Sequence, residues 1–127
     1  MKKFTKILAL TLVLIMSVAL FASCAAPNKD PEKAKEALEK ADYEVLRLDE
    51  GLDVLYEGLE AYLMAEDEDG EEGIIIYYFK DSATAKDAWE EVEKEVEEMK
   101  EEEPDLIAKL SGKMIYIGTK DAIKAAK

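Results

Sequence analysis

The sequence predicts an α+β domain: about four mainly antiparallel strands with helices packed on one face, in the order α-β-β-β-α-β-α. Three observations carry that reading. Residues 74–79 (IIIYYF) are an unbroken run of β-branched and aromatic side chains. Residues 82–103 place Ala85, Ala88, Trp89, Val92, Val96 and Met99 in steps of three and four, one continuous apolar stripe on an otherwise Glu/Lys-rich helix. Short turns separate the apolar segments before that helix, so consecutive strands pair as a meander.

The first helix is expected over residues 31–41. Asp30 supplies an acceptor side chain at the N-cap and Pro31 fits the first helical position. Ala34, Ala37, Leu38 and Ala41 then make a small stripe. Residues 43–48 (YEVLRL) read as a strand, and 49–58 as an irregular segment with two glycines. Residues 59–65 (LEAYLMA) read as a second strand, joined to 74–79 through the acidic turn 66–72 with its Asp69-Gly70 pair. Asp81 or Ser82 caps the long helix, and Pro104 ends it at or near Glu103. Leu106, Ile107 and Leu110 suggest one more helical turn, closed by Gly112. Residues 114–117 (MIYI) form the last strand, reached from 74–79 by a right-handed crossover. Thr119 caps a terminal helix that turns Ala122, Ile123 and Ala126 inward. The general shape expected is ferredoxin-like without the leading strand of that fold.

The start of the chain has a different character. Residues 1–6 (MKKFTK) carry three lysines, and residues 7–22 (ILALTLVLIMSVALFA) carry no charge. A basic start, an apolar stretch and then small residues form a secretory signal pattern, and sixteen apolar residues fall short of the roughly 20 that span a bilayer. Phe21-Ala22-Ser23-Cys24 resembles the lipobox of bacterial lipoproteins: an apolar residue, two small residues and a cysteine. The resemblance implies cleavage between Ser23 and Cys24 and a diacylglyceryl group on the Cys24 sulfur. Two acyl chains give a stable anchor where one is marginal. The expected organisation is a signal peptide over 1–23, a lipidated cysteine and tether over 24–30, and one domain over 31–127. The tether from Ala25 to Asp30 reaches at most about 20 Å. In layout the chain resembles the small lipoproteins of low-GC Gram-positive bacteria, which implies an extracytoplasmic, membrane-anchored location.

Composition narrows the chemistry. The 127 residues hold 17 basic and 30 acidic side chains, one cysteine and no histidine. Loss of residues 1–23 removes three of the basic residues and none of the acidic ones, leaving a formal net charge of −16. Such a surface disfavours nucleic acid and repels anionic headgroups. Without histidine there is no Ser-His-Asp triad and no imidazole metal ligand. With Cys24 acylated, thiol chemistry is gone too. No cofactor is expected.

The remaining candidates are surfaces. The run Glu66-Asp67-Glu68-Asp69-Gly70-Glu71-Glu72 invites a calcium reading. With Gly70 at position 6 of an EF-hand loop, Ala65 falls at position 1 and Ile76 at position 12, so both end ligands fail. It reads as a solvated hairpin tip, and no metal site is expected. Glu91, Glu95 and Glu98 lie on an acidic face of the long helix suited to a basic partner. Tyr62, Tyr77 and Tyr116 are expected together on the sheet face that no helix covers, an aromatic patch suited to a protein or a sugar. The functional expectation is a non-enzymatic interaction or accessory protein, anchored to the membrane through Cys24 and facing outward with a protein partner. The alternative is a lipoprotein that binds a cation or a small cell-wall or sugar ligand.

Overall fold

The computed structural model describes residues 26–127, so the signal-peptide expectation and the Ser23–Cys24 cleavage site lie outside the described residues. The elements are α1 (Pro31–Lys40), β1 (Glu44–Leu48), a 3-10 turn (Leu52–Val54), β2 (Leu59–Glu66), β3 (Gly73–Phe79), α2 (Ser82–Glu102), β4 (Ile107–Ser111), β5 (Met114–Gly118) and α3 (Lys120–Ala125). The class is α+β with an antiparallel sheet. The sheet has five strands in the order β1-β2-β3-β5-β4, and every neighbouring pair is antiparallel.

Local chemistry sets most boundaries. Asp30 Oδ1 accepts from the Glu32 amide at 2.9 Å and Pro31 opens α1. Asp81 Oδ1 accepts from the Thr84 amide at 2.8 Å and starts α2. In the β2–β3 hairpin, Asp67 Oδ1 accepts from the amides of Glu71 (2.8 Å) and Glu72 (3.3 Å), and Gly70 takes the positive φ that the turn requires.

Three expectations are corrected. Residues 107–111 form a strand, not a helical turn. Gly112, at φ +61°, and Lys113 make a two-residue turn that folds β4 back along β5, pairing Ser111 with Met114. The crossover through α2 therefore lands on β4, which runs parallel to β3 with β5 between them. The helices also cover both faces of the sheet, so neither the one-sided layout nor the ferredoxin-like shape holds. On the first face, α1 and α3 bury Leu63, Ile74, Ile76, Tyr78 and Tyr116. On the second face, α2 buries Tyr77, Phe79, Ile115 and Ile117 against Ala85, Ala88, Val92 and Val96. The strands pass apolar side chains to both layers, as fully enclosed strands must.

The strands also define two poles. At one lie the acidic hairpin, the end of α2 and the start of α3. At the other lie the Gly112–Lys113 turn, the start of α2 and the point where the chain enters the fold. That entry is fixed rather than slack. The Asn28 amide donates to Ala126 O at 2.8 Å, its side chain donates to Lys127 O at 3.1 Å, and the Tyr78 hydroxyl donates to Asn28 O at 2.8 Å. Most of the residues read as a tether thus belong to the folded unit. Tyr78→Phe is expected to cost about 1 kcal/mol in urea unfolding, the value of one partly buried hydrogen bond. A change below about 0.3 kcal/mol would mean that the entry segment is not held in this way.

Candidate functional site

The second face is not evenly covered. Helix α2 packs on β3, β5 and β4, and on that side β2 is covered only at its start, by the 3-10 turn and the Tyr56 segment. Alternation along β1 sends Val45 and Arg47 to the first face, so Leu46 and Leu48 point to the second. Along β2 it sends Ala61, Leu63 and Ala65 inward to the first face and Tyr62 and Met64 to the second. Register pairs Leu46 with Met64 and Leu48 with Tyr62. The result is an apolar patch in the open: Leu46 is 53% exposed, Leu48 41% and Met64 40%. Large apolar side chains clustered on a soluble surface mark an interaction site more often than isolated ones do.

An aromatic cluster separates this patch from α2. Tyr62 and Tyr77 lie 5.4 Å apart between ring centroids, and Tyr56 meets Tyr77 edge-on at 5.6 Å and 85°. Tyr56 comes from the segment between β1 and β2, which folds back over the second face with Leu52 buried beneath it. The Tyr56 hydroxyl donates to Glu95 Oε1 at 3.3 Å. Burial, together with the charge and hydrogen bond of Glu95, pushes the Tyr56 phenol up to about 12. Burial also raises Tyr62 and Tyr77. These phenols stay neutral and serve as apolar walls with a polar tip.

Three hollows lie near the sheet, and two of them share Met64. One of about 230 Å³ lies between Asp53, Leu55, Tyr56 and Glu57 and the Asp87–Glu91 turn of α2. One of about 300 Å³ lies over Glu44, Leu46, Met64 and Glu66. The third, about 210 Å³, runs between Met64, Ile75 and Ile117 on the sheet and Met99, Glu103 and Leu106 at the end of α2. Acidic residues line all three and no lysine or arginine lines any of them. The patch is thus an apolar floor inside a negative rim.

The site residues read from sequence divide accordingly. Tyr62, Tyr77, Glu91 and Glu95 gather around this groove. Glu98, exposed on α2, follows Glu95 by three residues on the same helical stripe. Tyr116 does not join them. It lies on the opposite face, 3% exposed beneath α1 and α3, and Tyr77 is itself 7% exposed, so no open patch of three tyrosines exists. Ile115 and Ile117 face α2 and Tyr116 faces away from it, but that side of the sheet is covered too. Sequence reasoning missed Leu46, Leu48 and Met64. Their signal was present: two leucines alternate with Arg47 on a strand whose other face is already occupied.

Among the described residues no three His, Cys, Asp or Glu side chains converge to hold a metal ion. Among the same residues no helix is long and apolar enough to cross a membrane. No protein-family model, no curated protein and no solved structure matches the chain.

Proposed function

We propose that the chain is a lipid-anchored, extracytoplasmic interaction protein that takes a protein partner on the uncovered β1–β2 face. The observation that carries the reading is the patch of Leu46, Leu48 and Met64, exposed on the sheet face that α2 covers elsewhere. The anchor rests on the lipobox resemblance at Cys24. The fixed entry at Asn28 supports a close-held domain: with an acyl group on Cys24, little free chain separates the bilayer from the Gly112–Lys113 pole. The acidic hairpin and the end of α2 then face away from the membrane, as repulsion from anionic headgroups favours. The two hollows that share Met64, about 210 and 300 Å³, stand at or below the low end of small-molecule pocket volumes, and each has room for a partner side chain.

Two experiments on intact cells test the parts separately. Cys24→Ala is expected to abolish acylation by mass spectrometry and to release the protein from the membrane fraction or leave it as an uncut precursor. Unchanged retention of an unacylated, uncut wild-type chain would overturn the lipid anchor and make residues 7–22 the anchor instead. A photo-crosslinking residue at position 46 is expected to capture a discrete protein that the same residue at position 33, exposed on α1, does not. Equal capture at both positions, or none at 46, would overturn the binding face.

A further inference from the structure

We infer, on the interaction reading above, that the partner segment is a basic amphipathic α-helix seated beside α2 on the β1–β2 face. Size comes first. Helix α2 packs on β3, β5 and β4, so its axis lies over the middle strand, β5. Two helices on one face pack about 8–10 Å apart. Strands repeat about every 4.8 Å, so a second helix at that distance lies over β2, two strands from β5. The exposed pair Leu46–Met64 sits on β1 and β2 at that place. Alongside α2 the open stretch runs from Glu95, where the Tyr56 segment closes the groove, to Glu102, about 10 Å, so about two turns of the partner helix seat on the floor.

Charge then selects the partner. The rim carries Asp53, Glu57, Asp87 and Glu91 at one end, and Glu44 and Glu66 at the other. An apolar stripe flanked by lysine or arginine satisfies both floor and rim. A second copy of this chain would set one negative rim against another, a repulsion that specific interfaces avoid. An anionic lipid surface meets the same objection. The helix-in-groove mode also explains why the apolar residues stand on the face of the sheet rather than along its open β1 edge, where strand addition would need backbone groups instead.

The test uses the chain purified from membranes and held in phosphatidylcholine nanodiscs, with empty nanodiscs as the blank. The probe is a sixteen-residue leucine–lysine peptide with leucines at i, i+3, i+4 and i+7 spacing. A peptide of identical composition in alternating order is the control, and fluorescence anisotropy at 0.15 M salt is the readout. The patterned peptide is expected to bind at least about tenfold more tightly than the control, a difference of ~1.4 kcal/mol. Leu46→Glu and Met64→Glu, both at exposed positions, are each expected to remove that preference. Equal binding of the two peptides overturns the inference, because attraction would then be electrostatic only. So does undiminished preference in both variants. Concentration-dependent dimers that these variants abolish would assign the face to a second copy. Stronger peptide binding once residues 1–23 are removed from an unprocessed chain would assign it to the chain's own apolar segment. If the peptides fail while position 46 still captures a discrete protein in cells, the helix class falls and the interaction reading stands.

Discussion

Glu72→Gln is expected to stabilise the fold by about 2 kcal/mol at pH 8 and to change little at pH 5. Glu72 ends the acidic hairpin and is 7% exposed, and its Oε2 has no hydrogen-bond partner among the described residues. Burial pushes its carboxyl from 4.5 up to about 7, and the charges of Asp121, Asp67 and Glu71 push the same way. The Thr119 hydroxyl acts against them by favouring the ionised form. Tyr43 faces the same cluster, and its phenol is raised by burial and then by Glu72, Asp67 and Asp121. The folded state therefore binds the Glu72 proton more tightly than the unfolded chain does. In the window from about 4.5 to about 7 the native state holds more protons, so stability from this group falls as pH rises, and above that window the loss is constant. At about 1.4 kcal/mol per pH unit the rise from 4.5 to about 7 caps the effect at about 3.5 kcal/mol, and screening by water at the hairpin tip brings it to about 2 kcal/mol. Glutamine keeps the shape and removes the charge. Urea unfolding of both proteins at pH 5 and pH 8 reads the difference between them, which cancels the general relief of repulsion that an acidic chain gains at low pH. Equal differences at the two pH values, or a less stable variant at pH 8, would show that Glu72 is not the buried acid described.

The same corner shows why some elements were legible in the sequence and others were not. Helix α1 is written in Asp30-Pro31, and α2 in Asp81 and its stripe of steps of three and four, because caps and periodicity are local properties. The hairpin was legible for the same reason. Strand β4 was not. Leu106, Ile107 and Leu110 fit a helical turn, and Gly112 fits a helix end as well as it fits a two-residue hairpin. Pairing with β5 decided the matter, and pairing is a tertiary effect. The alternative signal lay in Leu106, Ala108 and Leu110, which alternate with Ile107 and Lys109 and share the α2 side. The two-sided cover of the sheet was also written in the chain. In IIIYYF and MIYI every residue is apolar or aromatic, and a strand with one open face would alternate. Reading those runs as one-sided is what placed Tyr116 in solvent. The groove follows from the same rule applied to β1, where both Val45 and its neighbours Leu46 and Leu48 are apolar. Their exposure depends on where α2 lies, and no local pattern fixes that.

Gly118→Ala is expected to be among the most damaging single-methyl additions in the fold, at about 2–4 kcal/mol. Gly118 ends β5 between Ile74 of β3 and Ile107 of β4, and it is buried. A Cβ there would stand 2.7 Å from the Gly73 carbonyl oxygen and 3.0 Å from Cα and Cβ of Ile74. Two of those three atoms are backbone, so relief requires the strands to move apart rather than a side chain to rotate. The Gly73 carbonyl cannot move freely, because it accepts from the Thr119 amide at 2.9 Å, and the Gly73 amide donates to Thr119 Oγ1 at 3.3 Å. Overpacking in a well-filled site costs about 1–3 kcal/mol, and a strained or lost hydrogen bond adds about 1 kcal/mol. Gly112→Ala is the control. Its Cβ would meet nothing within 4 Å, so only the left-handed backbone at φ +61° opposes it, at a cost of about 1–2 kcal/mol. Thermal unfolding separates the two, since each kcal/mol shifts the midpoint of a domain this size by about 4–8 °C. A smaller loss at Gly118 than at Gly112 would mean that β3 and β5 do not approach as described. A larger loss would tie Thr119, Gly73 and the buried Glu72 into one packed corner, in which the hairpin tip and the start of α3 are held by the same few contacts.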